Sequence, residues 1–189
     1  MSDFAGVMLR RLRYHLSPQW DIYKHIAPRL AGMSHVLDVG CGTGFGALQL
    51  TPFAKEVWAL DVDEEAVKFA RDCMGNVKVI HADITIVPII PDGWDAVLMV
   101  EVLEHIEDYN RALRTVRDLL VDGGKLYVTA RNANADLRRN DLHLREWTAR
   151  EFKAALSEHF GDVRLFDYTL EVEQAGDTRM TPLVAVCQK

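Results

Sequence analysis

Short apolar runs alternate with amphipathic stretches along most of this chain. "SHVLDVG" (34–40), "EVWALDV" (56–62), "VKVIHAD" (77–83), "WDAVLMV" (94–100) and "GGKLYVTAR" (123–131) are each a few apolar residues long and bounded by turn formers. Runs of that length read as buried strands. "VRLFDYTL" (163–170) and "TPLVAVCQ" (181–188) complete a set of seven. Between them lie helical patterns: "GALQLTPFA" (46–54), "DEEAVKFARDCM" (63–74), "NRALRTVRDLL" (110–120) and "TAREFKAALSEHF" (148–160). The second has acids in its first turn and Gly75 just past its end. The fourth opens on Thr148 with Glu151 three residues later, a capping-box pattern. Ahead of the first strand, "LSPQWDIYKHIAPRLAG" predicts a helix with Pro18 in its first turn, Trp20, Tyr23, Ile26 and Leu30 on one face, and Gly32 as a stop. Strands alternating with helices predict an α/β domain with a mainly parallel sheet.

Composition narrows the class without naming a function. The 189 residues suit a single domain, with 1–33 as an N-terminal helical cap and 34–189 as the core. A formal net charge of −6 disfavours an extended nucleic-acid surface, which needs a basic stripe. "RRLRYH" (10–15) is a local basic run that a solvated face also accounts for. The cysteines, Cys41, Cys73 and Cys187, lie far apart with no CxxC pair, which argues against a disulfide framework and a thiolate zinc site. No signal-peptide pattern or long apolar span is read, so the expectation is a soluble cytoplasmic protein.

Parallel sheets bind ligands at the carboxyl ends of their strands, where strand order reverses. The first predicted strand ends in "LDVGCGTGFG", whose glycines let the backbone approach a ligand closely. Gly42, Gly44 and Ala47 also satisfy the GxGxxA spacing of dinucleotide-binding enzymes, so the loop alone does not choose. The acids around it do more. Asp38 precedes the first glycine, a poor neighbour for a pyrophosphate and a good one for a cation. Asp61 ends the second strand about 20 residues on, where a carboxylate can accept both ribose hydroxyls. Asp83 ends the third, where it can take an adenine amine. Together they suggest an adenosine ligand with a positive tail.

With these residues in place, the chain resembles the class I S-adenosylmethionine-dependent methyltransferases over residues 34–188. "VLDVGCGTGFG", "VWALDVDEEAVKFAR", "VIHADI", "WDAVLMVEVLEHI" and "LLVDGGKLYVTAR" look like that family's five motifs in order. The resemblance implies a Rossmann-like seven-stranded sheet of order 3-2-1-4-5-7-6, with strand 7 antiparallel and helices on both faces. It implies S-adenosyl-L-methionine as cofactor. Gly40 and Gly42 would lie against the methionine part, Asp38 would help anchor its amino group, Asp61 would bind the ribose, and Val62, Asp83 and Ile84 would hold the adenine. Val100 and Glu101 would pass close to the methionine moiety.

The fourth motif raises the question of chemistry. "VEVLEHIED" (100–108) offers Glu101, Glu104 and His105, which would share one face if they lay on a helix. No "NPPY"-type sequence stands there, which weakens a base N-methylase reading. The E-x-x-E-H spelling resembles quinone-biosynthesis O-methyltransferases and small-RNA 3′-terminal 2′-O-methyltransferases. In the latter a second histidine arrives before an aromatic-Thr pair, and here "NDLHLREWTAREF" (140–152) supplies His143. Glu101, Glu104, His105 and His143 would make a site for a divalent ion, magnesium or manganese. His105 and His143 are also candidate general bases. The same segment resembles bacterial methyltransferases of polysaccharide and secondary-metabolite pathways, for which no metal is implied. There the glutamates start a helix, with Glu104 and Asp108 near its N-terminus. Against the RNA reading, Arg139, Asp141 and His143 match that pattern only partly, and a nucleic-acid partner is disfavoured. Arginine is frequent in 131–145 (Arg131, Arg138, Arg139, Arg145), which favours an anionic or polar substrate at that mouth. The expected reaction is O-methylation of a polar small molecule or saccharide. A metal-assisted 2′-O-methylase of an RNA end, a dinucleotide-dependent oxidoreductase and a non-catalytic cofactor-binding module are the alternatives.

Overall fold

The computed structural model describes residues 18–86, 93–135, 143–174, 178–179 and 181–189. The basic run 10–15, the side chain of Trp20, and Arg138, Arg139 and Asp141 lie outside the described residues. Seven strands form one sheet in the order β3-β2-β1-β4-β5-β7-β6. They are β1 (His35–Val39), β2 (Glu56–Asp61), β3 (Lys78–His81), β4 (Trp94–Met99), β5 (Leu120–Ala130), β6 (Asp162–Phe166) and β7 (Leu183–Gln188). β1 is central and runs parallel to β2 on one side and β4 on the other. β7 lies antiparallel between β5 and β6. The order implied by the five motifs is therefore the order found. Strand order reverses between β1 and β4, and the crevice this leaves at their carboxyl ends is the expected ligand position.

The sheet is covered on both faces. α1 (Pro18–Ile26), continued by a 3-10 turn (Ala27–Leu30), and α2 (Phe45–Leu50) share one apolar cluster with Val36, Ala59 and Leu98. α4 (Tyr109–Leu119) and α5 (Ala149–Ser157) share another with Leu37, Val39, Val97 and Val128. Alternating side chains of β1 thus point to opposite faces, as the pleat requires. α4 buries Ala112, Leu113, Val116 and Leu119, the stripe that its 3.6-residue period set out. Burying Leu113 alone contributes about 1.5–3 kcal/mol. α3 (Glu64–Cys73) is capped by Asp63, whose carboxylate accepts from the backbone N–H of Glu65 and Ala66. The capping box of α5 forms as its sequence predicts, with Thr148 and Glu151 satisfying each other's backbone N–H.

Two boundaries differ from the pattern. The helix after β4 that apolar spacing carries to residue 120 ends at Leu119, and β5 begins at once. Its pairing with β4 then shifts register between Trp94 and Ala96. The apolar run at 163–170 stays extended only to Phe166, because Asp167 accepts from the backbone N–H and the hydroxyl of Thr169 and turns the chain. No helix among the described residues is long and apolar enough to cross a membrane.

Candidate functional site

A cavity of about 640 Å³ opens at the carboxyl ends of β1, β2 and β4. Its walls include Gly40, Asp61, Val62, Asp83, Ile84, Glu101 and His105. Of the expected cofactor residues, Asp38, Gly42 and Val100 do not line it. Val100 is buried in the core cluster on the α1 side of the sheet.

The β2 end of the cavity is built by backbone bonds to carboxylates. Asp61 Oδ2 accepts from the Gly42 N–H at 2.7 Å, and Oδ1 accepts from the Asp63 N–H at 2.9 Å. These bonds fix the carboxylate beside the glycine loop, and each oxygen keeps a lone pair for a ligand hydroxyl. Asp83 Oδ1 accepts from both the backbone N–H and the hydroxyl of Thr85, at 2.8 Å each, which turns the chain after β3. Val62 is 63% exposed and Ile84 is buried, so the two give apolar wall on either side of these acids. At Gly40 the close approach is internal: an added Cβ would lie 2.3 Å from Val102 Cγ2, at a φ of +71°.

Asp38 lies one residue inside β1 from Val39 and is fully buried. Tyr23 Oη, from α1, donates to Asp38 Oδ1 at 2.9 Å, and Oδ2 has no hydrogen bond among the described residues. Burial drives the Asp38 carboxyl up to about 7, the Tyr23 hydrogen bond opposes this, and the charge of Asp61 adds to it. Asp38 is thus a buried acid with one oxygen unmet, outside the lining of the cavity.

The β4 end is built differently. Glu101, Glu104 and His105 do not share a helix face. Glu101 has a φ of 55°, a left-handed conformation uncommon outside glycine. A 3-10 turn (Leu103–His105) follows, and the helix proper starts only at Tyr109, with Asp108 as its cap. After the kink, Glu101 and His105 reach the cavity while Glu104 turns into the core at 0% exposure. A helix-start role therefore fits Asp108 and not Glu104. Thr129 of β5 holds the strained residue in place. Its Oγ1 accepts from the Glu101 N–H at 2.8 Å and donates to Glu101 Oε1 at 3.1 Å. Such strain costs about 1–3 kcal/mol and persists only where the surroundings over-determine it.

Neither oxygen of Glu104 makes a hydrogen bond among the described residues. Burial, and the negative charge of Glu101 beside it, push its carboxyl up to about 8. His143 reaches this place from far along the chain by a backbone route. Residues 131–133 pair with Trp147, and the Leu144 N–H donates to the Glu104 carbonyl at 2.9 Å. The rings of His105 and His143 then meet edge to face, with centroids 4.9 Å apart. Donor atoms of Glu104, His105 and His143 lie within 4.8 Å of one another, and those of Glu101 fall outside that group. Burial above all, with His105 and Arg131 nearby, holds the pKa of His143 below the ordinary imidazole value. Glu146, paired with Arg131 at 2.9 Å, opposes that shift.

Three contributors escaped the sequence reading. Thr129 carries a visible signal, a single polar residue inside the apolar run "LYVTA". Tyr23 falls on the apolar face of its helix, and nothing in its spacing tells a buried hydroxyl from a buried ring. Arg145 stood among the arginines of its segment, but its clamp was not legible. Its guanidinium lies 4.5 Å from the Tyr109 ring centroid and 5.8 Å from that of Trp147, and donates to the Glu107 carbonyl at 2.8 Å.

Comparison with known proteins bears on this geometry. A family model described as a methyltransferase domain matches residues 37–128. A probable S-adenosylmethionine-dependent methyltransferase of Mycobacterium tuberculosis is 33% identical over 140 residues, covering 71% of this chain and 51% of that protein. A ubiquinone biosynthesis O-methyltransferase of Xanthomonas euvesicatoria is 34% identical over 108 residues, covering 54% of this chain and 45% of its own length. The chain thus spans about half the length of these curated relatives. Among solved structures, a methyltransferase of Thermotoga maritima described as a possible histamine N-methyltransferase superposes with a TM-score of 0.74 over 98% of both chains. At 19% identity that likeness speaks for the fold.

Proposed function

The chain belongs to the class I S-adenosylmethionine-dependent methyltransferases, and from that premise we propose that it transfers a methyl group from S-adenosylmethionine to an oxygen of a polar small molecule or saccharide. One observation carries the donor half: Asp61 and Asp83 enter a single cavity beside the glycine loop, with Asp61 fixed by the Gly42 N–H. The bound donor supplies a methyl on a positively charged sulfur that is itself a good leaving group. The protein's share is therefore mainly alignment and exclusion of water. Asp61 accepts the ribose hydroxyls, Asp83 the adenine amine, and Val62 and Ile84 enclose the base. Asp38 offers its unmet oxygen to the amino group.

The acceptor half falls to the β4 end. A hydroxyl nucleophile has to lose its proton, and the exposed His105 ring is a base that already lines the cavity. His143, whose ring meets it edge to face, can receive the proton or orient the ring. Arg145 supports a polar or anionic acceptor. Its clamp costs little entropy on binding, and Glu107, whose carbonyl it grips, belongs to the cavity wall.

A second reading is favoured by Glu104. A fully buried carboxylate without hydrogen bonds, grouped with two imidazoles, is a fitting donor set for a divalent ion such as magnesium or manganese. Glu104, His105 and His143 would hold it, with Glu101 alongside, and its charge would lower the pKa of an acceptor hydroxyl. The test is transfer of a radiolabelled methyl group to panels of phenols, hydroxy acids and saccharides, with chelator and with added Mn²⁺. Turnover that survives chelator and falls roughly 100-fold in His105→Gln supports the base. Turnover lost to chelator and restored by Mn²⁺ supports the ion. Donor binding with no turnover across the panels would remove the catalytic reading.

A further inference from the structure

The N-terminal helix does more than cover the sheet. α1 is tied down at two places: Tyr23 Oη donates to Asp38 Oδ1 at 2.9 Å, and Arg29, just past the helix, donates to the Leu170 carbonyl at 2.9 Å. The Tyr23 ring is 1% exposed and lies flat on Gly46, the second residue of α2. A Cβ at Gly46 would stand 2.3 Å from Tyr23 Cζ. The last glycine of "GCGTGFG" is thus required by a side chain from another element. It makes room for the ring whose hydroxyl reaches Asp38.

We propose that Tyr23 is a positioning residue for the donor's amino group: its hydroxyl holds one oxygen of Asp38 and leaves the other for the ligand's ammonium, coupling the docking of α1 to donor binding. The inference rests on the methyl-donor reading above. The groups facing Asp38 are few. Tyr23 comes from α1, Asp61 from the end of β2 and Cys41 from the glycine loop. Its register partners Ala59 and Leu98 are apolar. Only Tyr23 donates a hydrogen bond to the carboxylate among the described residues. Burial and the charge of Asp61 both favour the neutral acid, and Tyr23 alone favours the anion. Without its hydroxyl the carboxyl would hold its proton to higher pH, and a neutral Asp38 cannot pair with an ammonium.

The test measures calorimetric binding of S-adenosylhomocysteine to the full chain at pH 6.5 and 8.5, for wild type, Tyr23→Phe, Asp38→Asn and the double variant. The ligand's own amino group titrates alike against every protein, so the ratio of affinities isolates Asp38. Tyr23→Phe should bind roughly tenfold more weakly than wild type at pH 6.5, the size of one hydrogen bond to a charged group, and within about twofold at pH 8.5. Adding Tyr23→Phe to Asp38→Asn should change nothing further at either pH. Gly46→Ala, which keeps both polar groups and displaces the ring, should reproduce Tyr23→Phe. Carbon-13 titration of the Asp38 carboxyl in the ligand-free protein should show its midpoint moving up in Tyr23→Phe. An equal loss of affinity at both pH values, with an unmoved carboxyl midpoint, would mean that Tyr23 only packs, and overturns the inference. A wild type that binds no S-adenosylhomocysteine would remove the donor reading, and this inference with it.

Discussion

Asp61 is the last residue of β2 and Glu104 lies past the end of β4, and the chain treats these two carboxylates in opposite ways. Both oxygens of Asp61 accept backbone N–H groups, from Gly42 and Asp63. Neither oxygen of Glu104 has a hydrogen bond among the described residues, and its neighbour Glu101 sits in a left-handed backbone conformation. The β2 end is finished before any ligand arrives. The β4 end keeps a buried acid close to two imidazoles and a second carboxylate, an arrangement that costs stability unless something is bound or a proton is retained. In the proposed reading the contrast divides the labour of a transferase: the satisfied end would grip the part of the donor that does not react, and the strained, unmet end would stand where the methyl group passes to its acceptor.

The largest expected effect breaks the satisfied end. Asp61→Ala removes two backbone anchors and the ribose contact, and S-adenosylhomocysteine binding should weaken by roughly 100-fold, from about 1.5–3 kcal/mol for each hydrogen bond to a charged group. Isothermal calorimetry reads this directly. An affinity within fivefold of wild type would mean that the ribose lies elsewhere.

The next effect inverts the usual direction and belongs to the unmet end. Glu104 has a folded pKa raised to about 8 from an ordinary value near 4.5. Between these values the folded state binds more protons than the unfolded one, so stability falls as pH rises, and the whole penalty is present above pH 8. Glu104→Gln should therefore stabilise the chelator-treated protein at pH 8.5, on the order of a few kcal/mol, and have little effect at pH 4.5. Urea unfolding at the two pH values checks it. Equal effects at both would show that the carboxylate is already ionised and compensated.

A smaller loss should follow from Thr129→Val. The substitution keeps the shape and leaves Glu101 in its left-handed conformation with an unmet N–H. The cost should be about 1–3 kcal/mol, lowering Tm by roughly 2–4 °C per kcal/mol in a chain of this length. Donor affinity should stay within about threefold if Glu101 serves the acceptor rather than the donor.

The smallest effect sharpens the acceptor assignment. Arg145→Gln removes cation–π contacts worth about 0.5–1 kcal/mol each and should leave donor affinity unchanged, while raising KM for an anionic acceptor with kcat preserved. A change in donor affinity would place Arg145 in the wrong half of the site.

The sequence carried these two ends unequally. Seven apolar runs, the glycine loop and the acids at the ends of β1, β2 and β3 were legible because each is local: a strand, a tight turn and one carboxylate near the strand's end. Asp61, Val62, Asp83, Ile84, Gly40 and Glu101 all meet the cavity. The β4 end depends on relations that no local pattern encodes. A helical spacing put Glu101, Glu104 and His105 on one face, but a left-handed residue and a 3-10 turn sent Glu104 inward. His143 arrives through the pairing of Trp147 with Asn132 and through the Leu144–Glu104 backbone bond, contacts fixed by tertiary packing. Tyr23 shows the same limit from the other side of the sheet. Its ring belonged on an apolar face as the period said, while its hydroxyl found a buried acid 15 residues away.

The central claim is that the cavity beside Asp61 takes an adenosine ligand with a cationic, unphosphorylated tail. Calorimetric titration of the wild-type chain with S-adenosylhomocysteine and, separately, with NAD tests it most directly. S-adenosylhomocysteine should bind with one-to-one stoichiometry and NAD should produce no heat of binding. Binding of NAD without binding of S-adenosylhomocysteine would contradict the account.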